Sequence, residues 1–319
     1  MNKTITGTQI PAANEAILAA LRKVHSIASP ASTAPEDLKR QRLGQEALGR
    51  LLTPPIGFSW EPFTVEGIPA AWVRPEGGHD RSKMILYCHG GGYTSGTLGY
   101  ARLLASRMAL ATGYEVLAFQ YRLAPEHPYP EALEDARLIW EHLMFLGWGA
   151  REIILAGDSA GGNLALELAL DLRDAGRMVP NRLVLFSPWT DMTASGESYE
   201  TCRDRDPLLT REYIEAVRDA YAPGADWAQA AYSPLFADLR GLPPTLIQVG
   251  GREIPAGRFY PLVRSFAGRG GSRPAANLAG HVACIPDVPA ESRRGSHGPN
   301  GPLSGTAALT IRCSPSRPG

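Results

Sequence analysis

One stretch, Ile153-Ile154-Leu155-Ala156-Gly157-Asp158-Ser159-Ala160-Gly161-Gly162-Asn163, restricts the fold more than any other part of the chain. A short apolar run passes into Gly-x-Ser-x-Gly and then into a helix-forming segment from Leu164 to Asp171. This reads as a strand that turns abruptly into a helix with Ser159 at the apex. Gly157 and Gly161 flank that apex because a residue forced toward positive φ leaves no room for neighbouring Cβ atoms. The turn lifts Ser159 Oγ above the sheet edge. There the free N–H groups and the positive dipole end of the following helix favour developing negative charge.

Upstream, Lys83-Met84-Ile85-Leu86-Tyr87-Cys88 reads as a buried strand that runs into His89-Gly90-Gly91-Gly92-Tyr93. Consecutive glycines free backbone N–H groups to converge on one spot, as an oxyanion hole requires. Gly91, Gly92 and Ala160, the residue after the apical serine, are the candidate donors. An incidental serine in a glycine turn explains the first stretch and a flexible loop explains the second, but neither explains the pair.

With these blocks the chain resembles the hormone-sensitive-lipase-like esterases, a branch of the α/β-hydrolase superfamily. The resemblance rests on His89-Gly90-Gly91-Gly92, on Tyr121-Arg122-Leu123-Ala124-Pro125-Glu126-His127-Pro128-Tyr129-Pro130 and on Gly157-Asp158-Ser159-Ala160-Gly161-Gly162, in family order, and runs from about residue 10 to Ile254. It implies hydrolysis of small carboxylic esters with Ser159 as nucleophile and with neither metal nor cofactor. It also implies an acid just beyond the strand Thr245 to Val249, a position that Glu253 matches although aspartate is commoner there. His127, locked among prolines, is scaffold by the same resemblance.

At 319 residues the chain can bury one large core, so one catalytic domain with a small lid is expected. Lys and Arg number 32 and Asp and Glu 32, which removes any electrostatic case for nucleic acid and points to neutral small molecules as partners, a small neutral ester being what the resemblance implies. Cys88, Cys202, Cys284 and Cys313 lack metal-ligand spacing, and Cys88 lies in an apolar strand. The first residues lack a signal peptide's apolar core and no run reaches membrane-spanning length, so a cytoplasmic location is expected.

Apolar residues recur at helical spacing from Pro11 to Ile27 and from Glu36 to Leu52, which makes residues 1–52 lid helices by family likeness. A hairpin of Phe63 to Val65 and Ile68 to Val73 opens a hydrolase core over 53–254. Strands at Met84 to Cys88, Val116 to Tyr121, Ile153 to Ala156, Leu183 to Phe186 and Thr245 to Val249 then alternate with helical patterns. These run from about Ala101 to Ala111, Glu131 to Leu146, Leu164 to Ala175 and Arg211 to Tyr221. The alternation predicts an α/β class: a mostly parallel central sheet with helices on both faces. An excursion over about 188–232 forms a second lid segment, with Thr210 as a helix N-cap and Trp189, Tyr213 and Tyr221 as candidate pocket or core aromatics.

A serine nucleophile needs a base and a carboxylate to orient it. The family block G-M-x-H-x-F that carries the base is absent. Residues 255–319 are rich in Arg, Gly and Pro and carry no periodicity, so they read as a disordered tail with the last strand and helix lost. Back-translating Pro255 through Val288 and reading from the next nucleotide allows LLDDSTRLFAALRAG and then TWQGMWHVFQMF, whose histidine spans the codons of Ala283 and Cys284. A one-nucleotide insertion near the codons of Ile254 and Pro255 accounts for this. In the chain as written, His281 is the candidate base and His297 a poor second.

Two readings follow. In the first, Ser159, Glu253 and His281 hydrolyse short-chain acyl esters, with Gly91, Gly92 and Ala160 holding the oxyanion. In the second, the chain is catalytically impaired or non-catalytic, a product of the shifted gene or a small-molecule binder on the same scaffold. A repaired edge strand would pair with its twin in a homodimer.

Overall fold

A computed structural model describes residues 32–51, 55–196, 198–201, 206, 209–250 and 281–285. The expected helix from Pro11 to Ile27 lies outside these residues. Helix α1 (Pro35–Leu51) precedes the hairpin β1 (Phe58–Val65) and β2 (Ile68–Pro75). Its two-residue turn is Glu66-Gly67, with both φ values positive at 48° and 88°, as a tight right-twisted hairpin demands. There follow β3 (Asp80–Cys88), α2 (Leu98–Thr112), β4 (Tyr114–Phe119), α3 (Glu131–Phe145), β5 (Ile153–Asp158) and α4 (Ala160–Asp174). Then come β6 (Arg182–Phe186), a helical turn α5 (Ser198–Thr201), α6 (Arg211–Tyr221), β7 (Thr245–Gly250) and β8 (His281–Ile285).

The strands form one sheet in the order β1-β2-β4-β3-β5-β6-β7-β8. The β1–β2 and β2–β4 pairs are antiparallel and every other pair is parallel. The eighth strand corrects the expectation that the last strand is lost. His281–Ile285 pairs in parallel with Leu246–Gly250. Pairing of this kind uses backbone N–H and C=O groups, which any sequence carries, and β7 would otherwise present an open edge.

Alternate residues of the central strands feed two cores. Met84, Leu86, Leu117, Phe119, Ile153 and Leu155 face one side, with α3, α4 and α6 packed over them. Ile85, Tyr87, Val116, Ala118, Ile154 and Ala156 face the other, under α2. Each large side chain fully buried there contributes about 1.5–3 kcal/mol. Helix α4 is mostly apolar, and every residue from Ala160 to Leu170 is buried, Asn163 and Glu167 included, as befits a helix that runs through the middle of the molecule. Helix α6 shows the amphipathic pattern instead: Tyr213, Ile214, Val217, Ala220 and Tyr221 turn inward. Thr210 caps it as expected, its side chain accepting from Tyr213 N–H at 3.1 Å.

Candidate active site

The sharp turn between β5 and α4 has the expected form. Ser159 sits at φ 51°, ψ −120°, a strained conformation for a residue with a Cβ. Its N–H donates to Phe186 O at 2.9 Å. Its carbonyl accepts from Gly162, Asn163 and Trp189 N–H groups at 3.0, 3.1 and 2.9 Å. Four backbone bonds therefore hold the apex in place. Gly161 is required by crowding, since a Cβ there would lie 2.1 Å from Cys88 O and 2.4 Å from His89 O. That close approach brings the head of α4 against the end of β3.

The triple-glycine loop leaves β3 beside this turn. Cys88 pairs with Gly157, so the two neighbouring strands end at the same level. Gly91, Gly92 and Tyr93 all have positive φ, at 128°, 62° and 61°. The Gly91 carbonyl accepts from Ser95 N–H at 3.0 Å and Ser95 Oγ at 2.9 Å, closing the loop on itself. Among the described residues, the N–H groups of Gly91, Gly92 and Ala160 have no acceptor. For Ala160 this follows from its place in the first turn of α4, where N–H groups have no partner within the helix.

Asp158, which the sequence reading passed over, ties the loop to the apex. Its carboxylate accepts from Tyr87 OH at 2.6 Å, Gly90 N–H at 2.8 Å and Tyr100 OH at 3.1 Å. Burial pushes this carboxyl above its usual range, while the three donors pull the other way. The signal was its place between Gly157 and Ser159, but nothing in the sequence names its partners.

His89 is fully buried and stacks on Tyr121 at 4.3 Å, with Nδ1 2.8 Å from Gly90 O. Burial lowers its pKa to about 4, so it is neutral near pH 7 and acts as packing. Asn163 uses both amide N–H groups and its oxygen: it accepts from Tyr93 OH at 2.7 Å and donates to Trp189 O at 2.6 Å and Tyr232 O at 3.1 Å. His127 is at the surface, its Nδ1 2.7 Å from Glu131 Oε2, in keeping with a scaffold role. Trp189, Tyr213 and Tyr221 are all core members, and Tyr221 stacks on Tyr93 at 3.7 Å.

The acid and base candidates are less closely drawn in. Glu253 and His297 lie outside the described residues, as do the back-translated segments apart from 281–285. His281 opens β8 opposite Leu246, in the cross-strand row of Val184 and Ala156. That row is three residues short of Ser159 and three strands away from it. At about 3.3 Å per residue and about 4.8 Å per strand the Cα separation is roughly 17 Å. The register does not bring His281 to Ser159.

A parallel-centred sheet with a strained serine between strand and helix, beside a glycine-rich loop that leaves the neighbouring strand, defines an α/β hydrolase. Residues 85–261 match a family described as having the alpha/beta hydrolase fold. The chain belongs to the hormone-sensitive-lipase family of α/β hydrolases. It is 40% identical over 210 residues to an acetyl-hydrolase of Streptomyces hygroscopicus, covering 66% of this chain and 68% of that protein. It is 37% identical over 198 residues to an esterase of Acinetobacter venetianus, covering 60% and 63%. The match thus spans about two thirds of the length of these relatives. The solved structure of an esterase from the bacterial hormone-sensitive lipase family superposes with a TM-score of 0.77 at 32% identity, over 88% of this chain and 90% of that one. Among the described residues no helix is long and apolar enough to cross a membrane.

Proposed function

We propose that this chain is a serine carboxylesterase that hydrolyses short-chain acyl esters through an acyl-enzyme. One observation carries the reading: a serine at φ 51° stands beside three N–H groups, of Gly91, Gly92 and Ala160, that have no protein acceptor among the described residues. Ser159 Oγ attacks the ester carbonyl, and the oxyanion that forms accepts from those three groups. The leaving alcohol takes a proton from the base, and water then attacks the acyl carbon and frees the acid. Glu253 orients the base. The base is a histidine, either His281 by its distance from Glu253 along the chain or the one that the shifted reading frame restores. Relatives that are an acetyl-hydrolase and an esterase support a short acyl group.

The register of β8 favours a second reading, in which this chain keeps the oxyanion site but not the base, and is catalytically impaired or a small-molecule binder. Hydrolysis of p-nitrophenyl acetate and butyrate by the purified chain, against Ser159→Ala, separates the two. The esterase reading requires Ser159→Ala to lose most of the rate, and equal rates remove it for this chain. Resequencing the gene around the codons of Ile254 and Pro255 tests the frame: an extra base there restores the family block, and its absence ends the frameshift account.

A further inference from the structure

Three consecutive residues at positive φ, one of them a tyrosine, do not hold their shape unaided, so the loop that carries Gly91 and Gly92 must be fixed from outside. Its fastening comes from two helices far away in sequence. Gln41 of α1 is 4% exposed and lies behind the loop. Its Nε2 donates to Tyr213 OH at 2.7 Å and to Ser95 Oγ at 3.3 Å, while its Oε1 accepts from Thr94 Oγ1 at 3.3 Å. Ser95 Oγ in turn donates to Gly91 O at 2.9 Å. Tyr213 of α6 presses on the loop directly: a Cβ on Gly92 would lie 3.1 Å from its hydroxyl and 3.2 Å from Val217 Cγ2. Next to Gln41, Arg42 adds a second fastening, donating to Thr94 O at 2.9 Å and Ala124 O at 3.1 Å while its guanidinium pairs with Glu126. The Tyr213 phenol, raised by burial to about 12, stays protonated and can donate as well as accept.

We infer that Gln41 and Tyr213 are positioning residues of the oxyanion site, a buried clasp through which the two lid segments jointly hold the Gly91 and Gly92 amides in line. The clasp rests on the esterase reading for its catalytic meaning, though not for its existence. It makes α1 part of the active-site support rather than a cover alone. A buried polar network in which every member has a partner is stiff, and breaking one member leaves others unpaired. Loss of alignment, with the donors still present, should cost less than the hundred- to thousandfold loss typical of deleting an oxyanion donor.

The test uses Gln41→Leu and Tyr213→Phe, with Leu38→Ala as a packing control on the same helix, since Leu38 is 4% exposed and makes no bond to the loop. Two readouts are taken on the full chain. Amide hydrogen exchange of residues 89–96 should quicken about tenfold or more in both clasp variants and much less in Leu38→Ala, while β3 and β5 stay protected. The kcat for p-nitrophenyl acetate should fall about ten- to a hundredfold with KM within about twofold, a split that general loosening does not give. Unchanged exchange in a folded Tyr213→Phe, or a Leu38→Ala variant that matches the clasp variants in both readouts, overturns the inference. If Gln41→Leu does not fold, Tyr213→Phe decides the matter alone. If wild type and Ser159→Ala hydrolyse the ester equally, the esterase reading fails and exchange by itself decides the clasp.

Discussion

Glu167 should make the protein lose stability as pH rises, and replacing it with Gln should remove that loss. Glu167 lies in the middle of α4 and is 4% exposed. Among the described residues its Oε1 has no hydrogen-bond partner, and Oε2 accepts from Tyr221 OH at 3.5 Å. Arg137 is the cation that acts on it, yet that guanidinium is bound by both oxygens of Asp171, at 2.7 and 2.5 Å. Burial therefore wins, and the carboxyl is pushed well above the usual carboxylate range. The folded state holds the proton to a higher pH than the unfolded chain does. The contribution is complete below about pH 4.5 and declines as pH climbs toward the folded value, by about 1.4 kcal/mol per pH unit. Urea unfolding followed by tryptophan fluorescence, at steps from about pH 4 to 8, gives the stability of wild type and Glu167→Gln. Their difference should be nearly constant below about pH 4.5 and then grow in favour of Gln with that slope. A difference that stays level over the whole range would refute the argument, because every other titrating group is common to both proteins.

Asp158→Asn leaves one of three buried donors without an acceptor, so it should cost roughly 1–3 kcal/mol in urea unfolding; a wild-type midpoint would show that Asp158 does not anchor the glycine loop. Gly161→Ala forces a Cβ to within 2.1 Å of a backbone carbonyl that cannot swing away. It should lower stability by about 3 kcal/mol or more, and a wild-type melting temperature would contradict the crowding. Given the β8 register, His281→Ala should leave the Ser159-dependent rate on p-nitrophenyl acetate within about twofold, and added imidazole should raise that rate above the same mixture with Ser159→Ala. A tenfold fall in His281→Ala would instead identify His281 as the base.

The turn around Ser159 and the loop at Gly91 were legible because both are local: glycine spacing, an apolar lead-in and a helix-forming exit suffice to define them. The same holds for Thr210, whose capping role depends on the next three residues. Element ends were less legible. β1 begins at Phe58 rather than Phe63, where Phe58 and Trp60 alternate with polar residues and pack half-buried against the second core, and β3 begins at Asp80, because its exposed first residues leave no apolar pattern. Asp158 and Gln41 were not legible as supports at all. Gln41 reaches a partner 54 residues away at Ser95 and another 172 away at Tyr213, and contacts of that range carry no periodic trace in one sequence. The eighth strand, although it carries the short apolar run Val282-Ala283-Cys284-Ile285, was missed because it lies within residues 255–319, whose Arg-, Gly- and Pro-rich composition carries no periodicity as a whole.

The adjacency of β3 and β5 has a consequence for engineering. The hydroxyl and the glycine amides are set apart by the sheet's own repeat, on two strands that stop at the same height, and every residue involved precedes Leu164. Under the proposed esterase reading, a library that randomises everything after Gly250 therefore keeps the hydroxyl and the amides in place and selects for a group that carries protons. Hydrolases regained this way should differ in their pH profiles while sharing one stereochemistry of attack.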